Sequence, residues 1–392
     1  MAERLPEAEW TRRDDLLALI AALGEGNARY VGGAVRDTVL GVEVHDIDCA
    51  TPLEPVEVID RLDTAGIRTV PTGLKHGTIT AILDSGNVEI TTLREDVETF
   101  GRHAEVRFSN DWKRDASRRD FTINALYADP VTLEIFDYFG GLDDLKNRHV
   151  RFIGDARQRI QEDHLRILRY FRFQARFGSQ PADDESESAC SELAATLKGL
   201  SRERVGWELQ NLLTLLDPSA IVARMQELGV LQVVLPEALP DAGDMLARLA
   251  AAEQRDGVEP EAIRRFAAIL PAQPATAQAV ASRLRLSNRL GKHLVSVARR
   301  DMRDAENPFA LAYRVGLEAA IDRLLIEGAS VAELASWERP VLPLKGGEIV
   351  ERGVAAGPEV ARILQAVENR WIDEGFPERE RVERLLEEEL AR

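Results

Sequence analysis

Strand-forming sequence is confined to the first ~140 residues, and this asymmetry constrains the fold more than any other feature of the chain. Up to about Tyr138, short apolar runs alternate with turn residues, the pattern of half-buried strands. Ala28 to Val31 leads into Gly32-Gly33, and the AVRDTVLG that follows has the composition of a short helix closed by Gly41. Thr78 to Leu83 and Val88 to Leu93 are strand-like runs joined by Asp84-Ser85-Gly86-Asn87, a hairpin turn. Arg119 to Ala128 predicts another strand or a strand-to-helix junction. After Gly140 apolar residues recur at helical spacing instead. One amphipathic helix is expected over Asp155 to Phe177, with Ile160, Ile167, Leu168, Phe171 and Ala175 on one face and Arg166, Arg169, Arg172 and Arg176 pointing away from it. Further helices are expected over Ser191–Leu197, Arg202–Leu216, Ser219–Leu228, Asp244–Gln254, Pro260–Ile269, Ala275–Leu284, Arg289–Arg303 and Glu378–Arg392, broken by Pro236, Pro240, Pro271, Pro274 and Pro308. Gly178–Glu187 and Arg94–Lys113 are expected as loops, the second either a plain surface loop or a mobile one over an active site. The fold class is α+β: a small mixed sheet in an N-terminal domain, followed by an all-helical remainder.

A chain of 392 residues holds two to three domains at roughly 150 residues each. Its 45% apolar and 30% charged residues exclude disorder as the dominant state. No stretch approaches the ~20 apolar residues of a spanning helix, and MAERLPEAEW is too acidic and polar for a signal peptide, so a cytoplasmic location without a membrane partner is expected. Cys49 and Cys190, the only cysteines, lie far apart in the sequence, which argues against a disulfide framework or a cysteine-rich zinc site. A net charge of −17 argues against a nonspecific DNA coat but leaves room for a local basic groove. Residues 151–176 carry seven arginines against three carboxylates. The tail from Asp373 is acidic.

Asp46-Ile47-Asp48 carries the first chemical signal. In a strand the two carboxylates face one side while Ile47 packs on the other, and paired carboxylates bind hard divalent ions such as Mg²⁺. Alone, the pattern is more often a solvated turn. Upstream, however, Gly32-Gly33 stand at a strand-to-helix junction ahead of Arg36, where glycines admit a phosphate to the backbone and the arginine supplies charge. A phosphate cradle followed by a carboxylate pair is the layout that holds a nucleoside triphosphate with its metal. Glu89, on the strand Val88 to Leu93, is a candidate third carboxylate with about an even chance of facing the other way. His76 is expected to be structural. The six histidines are scattered, so a separate His/Asp phosphohydrolase site has no residues to be built from.

YVGGAVRDTVLG followed by HDIDCAT resembles the head-domain signature of the class II tRNA nucleotidyltransferases, in the polymerase-β-like superfamily. RRDFTINALYAD (Arg118 to Asp129) is similar to the second motif of that family, and EDHLRILRYFRF (Glu162 to Phe173) to its base-recognition motif. The motifs stand in the family's order over residues 28–178; His164 departs from the proline that often follows Glu-Asp. The resemblance implies a nucleotidyltransferase head over 1–140, a helical neck with the base-recognition motif over 141–215, and a helical body and tail over 216–392 that binds tRNA. It implies Gly33 and Arg36 on the triphosphate, Asp46 and Asp48 on magnesium as the catalytic pair, and ribose and phosphate contacts from Arg118 or Arg119 and Asp120. Nucleotide contacts are implied for Asp163, Arg166, Arg169 and Arg172.

The implied activity is template-independent addition of CCA to the tRNA 3′ end from CTP and ATP, with release of pyrophosphate. A poly(A) polymerase, a CC-only or A-only enzyme, and a non-catalytic RNA-binding protein on the same fold are the alternatives. An Asp163–Arg166 pair suits the base choice. A carboxylate accepts from the exocyclic amine of C or A, an arginine donates to ring acceptors, and U and G present a carbonyl instead. Considered by itself, the arginine-rich helix would be an ordinary solvated face. Binding of tRNA is expected to weaken with salt as phosphate contacts release counterions.

Overall fold

The computed structural model describes residues 3–100 and 103–392. It comprises two compact units, Met1–Glu208 with Glu227–Val234 and Leu209–Gln226 with Leu235–Arg392. The first unit holds all the strands among the described residues: β1 Arg29–Val31, β2 Ile47–Thr51, β3 Thr69–Gly73, β4 Thr78–Leu83, β5 Gly86–Thr92, β6 Arg94–Phe100, β7 His103–Phe108, β8 Leu126–Ala128 and β9 Ile135–Asp137. Seven of them form one sheet in the order β3-β4-β5-β2-β1-β8-β9, while β6 and β7 pair separately. The sheet is mixed, as expected, because β2 runs parallel to β5 and the other neighbours are antiparallel. In the parallel pair Asp48 stands opposite Glu89.

Alternation along these strands sorts side chains by face. Val31, Ala50 and Tyr127 join Leu93, Ala116, Ala125 and Ile153 in one buried cluster. Leu16, Leu19 and Leu23 of the helix Asp14–Leu23, spaced for a single stripe, are buried, as are Val58 and Leu62 of the helix Pro55–Thr64 packed against it. Each such leucine contributes roughly 1.5–3 kcal/mol when fully buried. Rings fasten the helix Arg166–Phe177 in the same unit: Phe121 lies 5.1 Å from Phe173, and Phe152 stacks on Tyr170 at 5.8 Å.

Several expectations are corrected. The single helix over Asp155–Phe177 is two, Ala156–Glu162 and Arg166–Phe177. Asp163 is extended between them, and its carboxylate accepts from the Leu165 amide at 3.1 Å. The apolar spacing continues across this break, which hides it from a periodicity reading. Arg94–Lys113 is not a loop but the β6–β7 hairpin followed by the start of the helix Trp112–Ser117, capped by the Asp111 side chain. Gly101 and Arg102 within it lie outside the described residues. Gly178–Glu187 is a loop only as far as Asp183, whose carboxylate caps the helix Asp184–Leu193. Of Arg119–Ala128 only β8 is strand, preceded by a 3-10 turn at Thr122–Asn124.

In the second unit, Leu249, Ala268, Leu324 and Leu325 centre one apolar cluster, and Ile349, Val367, Trp371, Leu385 and Leu386 another. Pro274 and Pro308 stand at the first position of the helices Pro274–Arg283 and Pro308–Val315, where a missing N–H costs nothing. A charged network is sealed inside this unit. Glu253 accepts from Arg264 at 2.6 Å and from Arg265 at 2.7 Å, and Asp322 accepts from Arg264 at 2.7 Å and pairs with His293 at 2.7 Å. Arg265 also donates to the carbonyls of Leu213, Leu215 and Leu216. Among the described residues no helix is long and apolar enough to cross a membrane.

Candidate active site

A cavity of about 1000 Å³ in the first unit gathers every site residue expected from the sequence: Gly33, Arg36, Asp46, Asp48, Arg118, Arg119, Asp120, Asp163, Arg166, Arg169 and Arg172. Gly32 turns the chain from β1 into the helix Gly33–Val39 with φ 68° and ψ −120°, a conformation closed to side-chain-bearing residues. A Cβ on it would meet the Arg119 guanidinium at 3.5 Å, ordinary contact, so the backbone conformation and not the space around it calls for glycine. Arg36 is buried and aimed: it donates to Asp37 at 2.7 Å and to Asn124 at 2.5 Å, and its guanidinium lies 4.2 Å from the Phe177 ring centroid. Burial pulls the Arg36 pKa down, against the pull of Asp37.

Asp46 lies one residue ahead of β2 and is exposed, Ile47 is buried, and Asp48 is half-buried on the strand. Glu89, flanked by buried Val88 and Ile90, faces the same side as Asp48. Burial first, then the charges of Glu89 and Asp46, push the Asp48 carboxyl up to about 6, with Arg119 pulling the other way. Asp46 and Asp48, with Glu89 opposite Asp48 in the ladder, offer oxygen donors suited to a hard divalent ion. Among the described residues no group of three or more His, Cys, Asp or Glu forms a ready-made cage. Two carboxylates suffice for magnesium, which commonly takes one or two and completes its shell with substrate phosphates and water.

Arg118 and Arg119 are held from beneath by Asp115, a residue the sequence reading missed. This buried carboxylate accepts from Arg118 Nη2 at 2.7 Å, from Arg119 Nη2 at 3.3 Å, from the Tyr127 hydroxyl at 2.6 Å and from the Arg94 amide at 3.3 Å. Burial alone would raise its pKa, but Arg119 and Arg118 outweigh that and bring it to about 2. Tyr127 closes the ring by accepting from Arg119 Nε at 3.1 Å. Asp120 is likewise buried and held at about 2, where Arg169 and Asn124 overcome burial. It accepts from Arg169 at 2.5 Å and from Asn124 at 3.0 Å.

The break at Asp163 presents the third group of residues. Arg166, implied as a nucleotide contact, lines the cavity and is largely buried: it donates to Glu162 at 2.6 Å, to the Arg159 carbonyl at 2.9 Å and to the Arg118 carbonyl at 2.8 Å. Asp163 Oδ2 accepts from Arg204 at 2.7 Å. Glu208, also unforeseen, is buried and accepts from Arg172 at 2.7 Å, with Arg169 at 3.7 Å. Arg204, Trp207 and Glu208 belong to the helix Arg202–Leu213 and line the cavity. No local pattern marks them, because their partners lie over thirty residues away in sequence. Guanidinium groups are thus fixed along one edge by carboxylates or carbonyls while facing a common cavity, which suits the binding of a phosphorylated ligand.

A sheet with this glycine turn and carboxylate pair, completed by an arginine-bearing helix, defines a nucleotidyltransferase head. The family described as Poly A polymerase head domain matches residues 28–151, and that described as the probable RNA and SrmB-binding site of polymerase A matches residues 183–241. The mitochondrial CCA tRNA nucleotidyltransferase 1 of Danio rerio is 37% identical over 373 residues, covering 91% of this chain and 85% of that protein. A CCA-adding enzyme of Staphylococcus aureus is 40% identical over 188 residues, 47% of this chain and 46% of the other. Among solved structures, the CCA-adding enzyme of Bacillus stearothermophilus in complex with CTP superposes with a TM-score of 0.75 at 25% identity, over 96% of this chain and 97% of that one. This chain belongs to the CCA-adding tRNA nucleotidyltransferase family, whose chemistry uses a divalent metal.

Proposed function

We propose that this protein adds C, C and A in turn to the 3′ end of tRNA, taking nucleotides from CTP and ATP and releasing pyrophosphate. The observation that carries this reading is the convergence of the glycine turn, the carboxylate pair and the Asp163–Arg166 pair on one cavity. In each cycle the tRNA 3′ oxygen attacks the α-phosphorus, a P–O bond forms, and the bond to the bridging oxygen breaks. Asp46 and Asp48 would hold magnesium, which would lower the cost of ionising the attacking oxygen and of charge on the departing pyrophosphate. Arg36 and Arg119 neutralise the triphosphate beside the Gly32-Gly33 turn, and Asp120 and Arg118 orient the ribose and phosphates. Glu89, opposite Asp48 in the ladder, adds its negative charge to this side of the site.

Asp163 accepts from the exocyclic amine of C or A, and Arg166 donates to the ring acceptor beside it. U and G leave these groups unpaired, and a matched pair discriminates by roughly 1–3 kcal/mol. Arg204 shares Asp163 with the base, and Arg169 and Arg172 complete the nucleotide contacts. The buried free thiols Cys49 and Cys190 suit a reducing, cytoplasmic location.

The test incubates the protein and Mg²⁺ with tRNA lacking its CCA end, and products are read at single-nucleotide resolution. Two additions with CTP alone and three with CTP and ATP are expected. A long ladder with ATP alone would make the protein a poly(A) polymerase, and no incorporation would leave an RNA-binding protein.

A further inference from the structure

Trp207 lines the cavity and takes no part in the roles above. Trp207 is 57% exposed, whereas Phe173, the other large aromatic of the lining, is buried. An indole left this open loses much of the burial energy available to it, and inside a charged cavity it presents a flat apolar face on which a planar ligand can stack. Its surroundings are fixed. Arg204, three residues earlier on the same helix face, holds Asp163, while Glu208, the next residue, holds Arg172. The Arg172 guanidinium lies 5.9 Å from the Trp207 ring centroid. A flat π-face beside a positively charged group is the combination that holds a nucleobase and its backbone without reading the base.

The reaction places two nucleotides in the cavity, and they make opposite demands. The incoming base must be read, which the Asp163–Arg166 pair does by hydrogen bonding. The nucleotide ending the tRNA must be accepted whatever it is: its identity differs among tRNAs before the first addition and is cytosine afterwards. A hydrogen-bonding reader would reject some of these ends, whereas a stacking face accepts all four bases. We propose that Trp207 is the stacking platform for the terminal base of the tRNA acceptor strand. This inference rests on the CCA-adding reading above.

The experiment compares wild type, Trp207→Ala and Trp207→Phe on tRNA lacking CCA. It measures KM for tRNA and for CTP separately, and tRNA affinity by anisotropy without nucleotide. Trp207→Ala weakens tRNA binding and raises its KM roughly five- to a hundredfold, leaves KM for CTP within twofold, and is largely rescued by Trp207→Phe. A tRNA with an abasic terminal nucleotide loses the same factor on wild type and nothing more on Trp207→Ala. A raised KM for CTP with unchanged tRNA affinity overturns the proposal, as do additive losses for the abasic end and Trp207→Ala. Failure of the wild type to add CCA would instead overturn the underlying function.

Discussion

Arginine–carboxylate pairs dominate two regions of this molecule to opposite ends. In the helical unit, Glu253, Arg264, Arg265 and Asp322 are sealed from water, and His293 completes the network at its edge. There the guanidinium edges turn inward, onto carboxylates and the carbonyls of Leu213, Leu215 and Leu216. In the sheet-bearing unit, Asp115, Asp120 and Glu208 grip arginines from behind while the cavity stays open in front. Charge therefore marks a site only where its geometry leaves groups facing open space, as Asp48 does where it lines the cavity beside Arg119. The sealed network is structural; the open one is organised for a ligand.

The largest effect expected from this contrast is Asp48→Asn, which lowers incorporation at least a hundredfold, since several kcal/mol of charge stabilisation depends on the metal we propose it holds. The same variant melts higher than wild type at pH 8 in metal-free buffer. A raised carboxyl pKa means that ionisation disfavours the fold. This penalty is absent below the ordinary value near 4 and complete above about 6. A lower melting temperature would contradict that sign. Glu253→Gln has the opposite signature: it costs about 3–5 kcal/mol, because two buried guanidiniums lose their shared charge, and leaves incorporation per folded molecule unchanged. Denaturant titration and a single-turnover assay separate the two effects.

Tyr127→Phe removes the hydroxyl between Asp115 and Arg119 and the roughly 0.5–1.5 kcal/mol its hydrogen bonds contribute. The KM for CTP and ATP should rise a few-fold with that for tRNA unchanged, as steady-state titration of each substrate will reveal. The smallest effect concerns His293, whose hydrogen bond to Asp322 outweighs burial and raises its pKa. Its stabilisation is full below the unfolded value near 6.5 and is lost as pH rises through the higher folded value. Melting temperature against pH should therefore decline more steeply above pH 6.5 for wild type than for His293→Gln. Parallel curves would show that His293 contributes nothing.

Local signals in the chain were legible and tertiary ones were not. Gly32-Gly33 and Asp46-Ile47-Asp48 declare themselves because the chemistry needs those residue types within a few positions of one another. The helix break at Asp163 escapes a periodicity reading because Ile160, Ile167 and Leu168 keep apolar spacing across it. The β6–β7 hairpin was hidden by its charged sequence, which resembles a loop. Pro274 and Pro308 could be taken as breakers because a proline that ends one helix and one that begins the next look alike in sequence. Arg204 and Glu208 gain meaning only once folding sets Asp163 and Arg172 against them, whereas Asp115 stands three and four residues before Arg118 and Arg119, a pairing spacing the sequence already carried.

The alignment of β2 with β5 gives the sheet a further property. Asp48 meets Glu89 across a parallel ladder, so a slip of one residue between these strands would swing Glu89 to the opposite face and bring Val88 or Ile90 beside Asp48. Such a misassembled chain would bury an acid among hydrocarbon and expose a core residue, and both faults destabilise it. Assembly and competence are thereby checked by one event: a sheet that closes in the wrong alignment is too unstable to persist as an inactive decoy.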